Sequence, residues 1–187
     1  QKGNYLLACS RGSDDSLTAW EMQETMVSSL HGSIRGQGSP NYLNDGVVLY
    51  VDGDYAYVAA YLDNALSIFD ISDPTKPVHT GSAVGAGGTN GHYLDGISSV
   101  FVLNGVAYCT SFNDDALSCY DVSDPDDPDY PKLLGYISGA GSPNYLDGAS
   151  SVWVWDQSGT LYAAVASRLD GSLGIYDVTN PASISLK

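Results

Sequence analysis

The sequence predicts an all-β fold of repeated four-stranded antiparallel units, and three observations carry that prediction. A nine-residue phrase recurs four times, as Asp14 to Met22, Asp63 to Ile71, Asp114 to Val122 and Asp170 to Val178. Its leucines, Leu17, Leu66, Leu117 and Leu173, stand 49, 51 and 56 residues apart, a spacing typical of radial or stacked repeats holding several short strands each. The composition agrees: 14 Tyr, 21 Gly and 43% apolar residues in 187 suit many short strands joined by tight turns. Turn pairs such as Asp52-Gly53 and Asp63-Asn64 separate the apolar runs, the strongest short-range sign of hairpins.

The second repeat reads most cleanly. Gly46 to Gly53 is a short apolar strand closed by an Asp-Gly turn, and Tyr55 to Tyr61 is a second, rich in aromatic and small residues. Leu66 to Ile71 alternates as a third strand, the Pro-bracketed turn Ser72 to Pro77 follows, and Val78 to Ser82 begins a fourth. Proline at the start of that last strand suits a sheet edge, where its missing N–H is not needed. Four strands graded from apolar to polar describe a β-propeller blade, from inner strand to outer.

The third repeat predicts strands at Gly96 to Leu103, Ala107 to Phe112, Leu117 to Val122 and Lys132 to Ile137. The fourth predicts Gly148 to Trp155, Leu161 to Ala166 and Leu173 to Val178, then a stub at Ser183 to Lys187. In the first, Gly3-Asn-Tyr-Leu-Leu aligns with Gly53-Asp-Tyr-Ala-Tyr, so an inner strand is missing and Tyr5 to Ser10, Leu17 to Met22 and Thr25 to Leu30 remain. The expected domain is one partial propeller of about three and a half blades, at roughly 1–36, 37–86, 87–139 and 140–187. A piece of a longer propeller, a ring closed by two chains, and a small four-bladed ring with one depleted blade are the three expected arrangements. An opening Gln1 points to a leader or upstream region removed or missing.

Seven Lys+Arg against 22 Asp+Glu give a net charge of −15, which repels nucleic acid and anionic membrane surfaces. No apolar run reaches the roughly 18–20 residues of a membrane span, and the start does not read as a signal peptide. The acidity suits solubility in a salty or extracellular setting, with many Asp in turns; cation binding or a basic partner is the other reading. Three cysteines and no Cys-x-x-Cys argue against a zinc site. Cys109 and Cys119 flank one hairpin turn where Val58 and Ile68 stand in the preceding repeat, a pair expected to share a face. Two packed thiols are expected there, a cross-strand disulfide being the alternative, and Cys9, aligned with Val58, is expected in the core.

Gly53 to Val58 with Asp63 to Pro77 carry a pattern that resembles the LVIVD repeat of surface-associated β-propeller proteins. Gly105 to Tyr108 with Asp114 to Pro128, and Asp170 to Pro181, carry it next. The first repeat departs from it, with Glu21 in place of Asp and Met22-Gln-Glu-Thr in place of the Ser-Asp-Pro turn. The resemblance implies a propeller in an extracellular or cell-surface setting. It implies no catalytic residues.

A second recurrent element precedes each inner strand: Ser39-Pro-Asn-Tyr-Leu-Asn-Asp-Gly46, Asn90-Gly-His-Tyr-Leu-Asp-Gly96 and Ser142-Pro-Asn-Tyr-Leu-Asp-Gly148. Such loops converge on one end of a propeller channel, so Asn41, Tyr42, His92, Tyr93, Asn144 and Tyr145 are the candidate binding face. Asp45, Asp95 and Asp147 are the candidate ligands of a Ca²⁺ ion, which prefers oxygen donors; otherwise each caps its own turn. Glu21, Asp70, Asp121 and Asp177, and likewise Asp14, Asp63, Asp114 and Asp170, read as structural turn residues. The acidic stretch Asp121 to Asp129 lacks the spacing of an EF-hand, and Gly85-Ala-Gly-Gly-Thr has no following helix to bind phosphate. No Gly-x-Ser-x-Gly or His-Glu-x-x-His occurs, and His31, His79 and His92 fall at different places in their repeats. The expected function is a non-catalytic extracytoplasmic module for protein interaction, adhesion or self-assembly, with Ca²⁺ as candidate cofactor. The alternatives are a hydrolase or lyase with its site at the channel mouth, and a glycan-binding propeller using Tyr and Trp stacking.

Overall fold

In the computed structural model, which describes residues 5–11, 14–21, 29–127 and 129–187, the aromatic, β-branched and small runs form four antiparallel sheets in chain order. The first has three strands: β1 (Tyr5–Cys9), β2 (Ser16–Glu21) and β3 (Ser29–Arg35). The second has β4 (Gly46–Asp52), β5 (Tyr55–Ala60), β6 (Ala65–Asp70) and β7 (Val78–Val84). The third has β8 (Ile97–Leu103), β9 (Val106–Ser111), β10 (Ala116–Asp121) and β11 (Lys132–Ser138). The fourth has β12 (Ala149–Gln157), β13 (Thr160–Ser167), β14 (Ser172–Asp177) and the two-residue β15 (Ser185–Leu186). Each sheet is ordered as its sequence runs, the meander of a propeller blade. Two-residue turns join the inner strands: Asn104-Gly105 and Ser158-Gly159 both hold two positive φ angles, 54° and 74°, then 58° and 87°, as type I′ turns require.

Two boundaries differ from expectation. The outer strand of the first blade is residues 29–35, not 25–30; residues 22–28, with Met22-Gln-Glu-Thr, lie outside the described ones, as do Gly3, Asn4 and Pro128. The stub expected at 183–187 is a 3-10 turn, Pro181–Ser183, followed by β15, which pairs through Tyr176 with Leu186.

Apolar burial lies between blades, not within them. Leu7, Leu17 and Ala19 of the first blade pack with Leu43, Ala56, Val58, Phe69 and Ile71 of the second. Tyr57, Leu66 and Ile68 pack with Leu94, Ile97, Cys109 and Tyr120 of the third. Tyr108, Leu117 and Cys119 pack with Leu146, Val154, Val165 and Tyr176 of the fourth. A strand buried on both faces needs no polar alternation, which is why β5, β6, β9 and β10 are almost wholly buried.

The outer edges are joined by a device that repeats three times. One extra residue bulges each outer strand beside Gly32, Gly81 and Gly135, bending it towards the next blade. A Cβ on Gly32 would lie 2.4 Å from the Pro74 carbonyl oxygen, one on Gly81 2.7 Å from the Tyr130 ring, and one on Gly135 2.2 Å from the Pro181 oxygen. The Pro-bearing turn of each following blade therefore seats on a glycine of the blade before it.

Cys109 and Cys119 are packed thiols as expected, but register corrects their shared face and the alignment of Cys9. Cys109 lies opposite Ser118 and Cys119 opposite Tyr108, so the two point to opposite faces and into different inter-blade cores. Both are free thiols, raised well above their ordinary pKa by burial. Cys9 lies opposite Leu17 as Ala59 lies opposite Leu66, so its counterpart is Ala59, not Val58. It packs half-buried at the edge of the first core, its thiol 3.5 Å from the Gly46 carbonyl.

Candidate functional site

The three loops that lead into β4, β8 and β12 lie at one end of the blades, and each is tied down in the same way. A fully buried leucine, Leu43, Leu94 or Leu146, plugs the core beneath its loop. Its amide closes the loop neck on the carbonyl of Gly36, Gly85 or Gly139, at 2.9, 3.0 and 3.1 Å. A carboxylate from the turn between the second and third strands then holds two loop amides. Asp63 accepts from Gly38 and Asn44, Asp114 from Gly87 and Asp95, and Asp170 from Gly141 and Asp147, with distances of 2.8–3.2 Å. Bonds to an ionised acceptor are stronger than neutral ones, so these clamps set the loop shape.

The next residue in the turn reaches the following blade. Asp15 accepts from the Asp45 amide at 3.1 Å, Asn64 from Gly96 at 2.9 Å and Asp115 from Gly148 at 2.9 Å. All three have positive φ, at 38°, 51° and 50°, a conformation that Asn and Asp tolerate better than other side chains. Gly171 holds that place in the fourth blade and carries no acceptor side chain.

These contacts also reset the alignment of the candidate metal ligands. Asn44, Asp95 and Asp147 receive the equivalent clamp bond, whereas Asp45 shares a positive φ of 57° with Gly96 and Gly148, at 61° and 64°. Asp45 is therefore one position out of step with its supposed siblings. Its carboxylate takes a bidentate pair from Arg11, at 2.7 and 3.0 Å. Asp95 accepts from the Asn113 side-chain amide at 2.9 Å. Asp147 has its pKa raised by desolvation first, then by Asp115 and Asp170. Among the described residues no three His, Cys, Asp or Glu side chains come together as a metal centre.

The candidate binding residues divide into holders and presenters. Asn41 and Asn144 donate from their side chains to the Arg35 and Ser138 carbonyls, at 2.6 and 2.7 Å, across their own loops. His92 Nδ1 sits 3.2 Å from the Tyr120 hydroxyl, and burial holds its pKa below the ordinary value, so the ring favours its neutral form. Tyr42, Tyr93 and Tyr145 each have a carbonyl fastened by a serine hydroxyl, from Ser67, Ser111 and Ser172. Tyr42 and Tyr93 are half-buried. Tyr145 is 42% exposed, and Tyr93 stacks on Tyr136, itself 43% exposed, with centroids 3.9 Å apart and hydroxyls at 3.0 Å.

Tyr136, Arg11 and the cross-blade residues Asp15, Asn64 and Asp115 were not singled out from sequence. The repeated pair Asp14-Asp15, Asp63-Asn64, Asp114-Asp115 holds the signal for the last three, since one turn residue would not need a polar partner each time. Among the structural acids, Asp70, Asp121 and Asp177 accept from the amide two residues on, while Glu21 pairs with His31 at 3.0 Å. A cleft of about 450 Å³ at the opposite end, lined by Asp52, Tyr55, Tyr57, Asn104 and Ser123, contains none of the predicted residues.

The LVIVD repeat family matches residues 47–84 and 148–187. No curated protein matches the chain by sequence. A solved protein from Lactobacillus plantarum is 14% identical with a TM-score of 0.75, over 100% of this chain and 52% of that one. A candidate 6-phosphogluconolactonase from Bacteroides uniformis is likewise 14% identical, with a TM-score of 0.71 over 99% of this chain and 50% of that one. The computationally designed Ika4 protein is 11% identical, with a TM-score of 0.63 over 93% and 85%. The chain thus spans about half the length of the first two. It carries LVIVD repeats in its second and fourth blades and has the fold of a β-propeller.

Proposed function

We propose that the chain is a non-catalytic propeller module for protein interaction, displayed outside the cytoplasm, which binds through the loop end. One observation carries this reading. The side chains of Asn41, Asn144, Asp45, Asp95, Asp114 and Asp170 are engaged in shaping the loops, while Tyr145 and the Tyr93–Tyr136 stack stand at the surface on these supports. Tyrosines held this way offer large amphipathic contact area at low entropic cost, the chemistry of protein-binding surfaces. The charge of −15 favours a basic partner surface, and the family resemblance supports the extracytoplasmic setting. Calcium has no structural role in this reading, because Asp45 and Asp95 already hold side-chain partners.

The test is to pan a phage-displayed peptide library against the chain, with and without Ca²⁺, and to map the enriched peptides on variants. Tyr93→Ser with Tyr145→Ser is expected to weaken the selected peptides about tenfold or more, the scale of an aromatic hot spot, equally in both conditions. Peptides indifferent to those changes, binding that needs Ca²⁺, or turnover of simple esters or lactones by the chain would overturn the proposal.

A further inference from the structure

The junction between the second and third blades is built differently from the one that follows it. On the face that the second blade turns to the third, Asp52 pairs with Tyr55 and Tyr50 with Tyr57 across β4 and β5. The same places between the third and fourth blades hold Leu103 with Val106 and Phe101 with Tyr108. Leu103 and Val106 pack into the core between those two blades. An apolar pair thus closes one junction, whereas a carboxylate and a phenol line the cleft of about 450 Å³ at the other.

Both walls of the cleft come from these two blades, Asp52 to Tyr55 on one side and Asn104, Gly105 and Ser123 on the other. Tyr57 lines it at 3% exposure. Burial first, then Asp52 and Tyr55, push the Tyr57 hydroxyl up to about 12, with no hydrogen bond among the causes. The Asp52 carboxylate therefore lies close to a phenol that stays protonated, and it raises Tyr50 as well. Tyr55 is half-buried and Asp52 exposed, so an aromatic surface and a carboxylate border the same space. No Lys, Arg or His lines the cleft, and among the described residues none forms an ion pair with Asp52.

We propose that this cleft binds a guanidinium group, carried by an arginine side chain of a partner or by a small free guanidine. Its volume lies within the range of about 300–1,000 Å³ typical of ligand clefts. An anion is repelled by Asp52 and Asp54 in a chain of net charge −15. A neutral polyol would leave the Asp52 charge unanswered. A guanidinium answers both features at once: its planar fork gives a carboxylate two parallel hydrogen bonds, and its weakly hydrated face stacks on a phenol ring. An ammonium is more strongly hydrated and has no such face. The Asn104 side-chain carbonyl and the Ser123 hydroxyl, on the far wall, can accept the remaining N–H groups. The cleft and the loop end lie at opposite ends of the blades, so this binding does not depend on what the tyrosine loops hold.

Heteronuclear NMR titration of the whole chain with acetyl-arginine amide tests the proposal. Saturable shifts are expected at the amides of Gly53, Asn104, Gly105 and Ser123, with none at Gly87 or Gly141 in the loop end. Asp52→Asn is expected to raise the dissociation constant about tenfold or more, and the Asn-Gly pair it creates still suits the hairpin turn. Tyr55→Val, which installs the residue type of the next junction, is expected to raise it about threefold, the scale of an exposed cation–π contact. The neutral citrulline analogue and the lysine analogue should each bind more weakly than the arginine compound. Methylguanidine and a blocked Gly-Arg-Gly peptide separate the two sources: the tighter of them shows whether a free guanidine or an arginine of a partner is the better occupant. Citrulline binding as tight as arginine, an Asp52→Asn chain as tight as the parent, saturation by methyl glucoside in place of arginine, or no saturable shift at these amides would overturn the proposal.

Discussion

Leu94→Ala is expected to lower the unfolding free energy by about 2–5 kcal/mol, the cost of emptying a well-packed leucine site. Leu94 has no exposed surface and lies among Tyr57, Leu66, Ile68, Ile97 and Cys109. Collapse into the gap is hindered because the Leu94 amide is bonded to Gly85 and the next amide to Asp114. The loss should appear in urea as a lower midpoint with an unchanged slope. Leu173→Ala is the control: at 70% exposure it should move the isolated chain by about 0.5 kcal/mol or less. Equal losses at the two positions would mean that the loop leucine is not a plug. The change also loosens the support of His92 and Tyr93, tying the candidate site to the core beneath it.

Gly135→Ala is expected to cost about 1–3 kcal/mol, as overpacking does, although Gly→Ala in a compatible extended segment would stabilise by about 0.4–1 kcal/mol. The sign turns on one neighbour. The added Cβ meets the Pro181 carbonyl oxygen at 2.2 Å and the Ala182 Cα at 3.0 Å, and backbone atoms cannot rotate aside. Either the bulge beside Leu134 or the Pro181–Ser183 turn must move, opening the outer edge between the third and fourth blades. Thermal unfolding measures the effect; a melting temperature equal to or above the parent's would show that the turn yields freely and that the glycine is no seat.

Much of this was legible because a repeat prints the same physical requirement several times. The turn pairs Asp52-Gly53 and Asp63-Asn64 and the alternation of Leu66 to Ile71 placed strands within a residue or so of β4, β5 and β6. The outer strand of the first blade was misplaced because its proline turn is absent, which left no marker before Ser29. Sheet faces were harder to read. Cys109 and Cys119 looked like partners in spacing, but the hairpin pairs Cys119 with Tyr108, and a one-residue offset in pairing reverses a side chain's face. The same one-residue problem hid the mismatch at Asp45, where Leu43-Asn44-Asp45-Gly46 has one residue more than Leu94-Asp95-Gly96. The loop tyrosines Tyr42, Tyr93 and Tyr145 show in the sequence as a repeated element, while Tyr136, brought to Tyr93 by an outer strand far along the chain, carries no local sign. Gly32, Gly81 and Gly135 were visible as letters, but their meaning depends on a turn in the next blade.

The repeated aspartates Asp63, Asp114 and Asp170 hold the loop end as a rigid surface, each for its own loop. Residue-resolved amide hydrogen exchange tests it most directly, since protection reports the free energy of local opening. The amides of Gly38, Asn44, Gly87, Asp95, Gly141 and Asp147 are predicted to exchange slowly. In Asp114→Ala, protection should fall at Gly87 and Asp95 alone, leaving Gly141 and Asp147 unchanged. Exchange of all six at the rate of an unfolded chain in the parent protein, or an equal loss across all three loops in the variant, would contradict it.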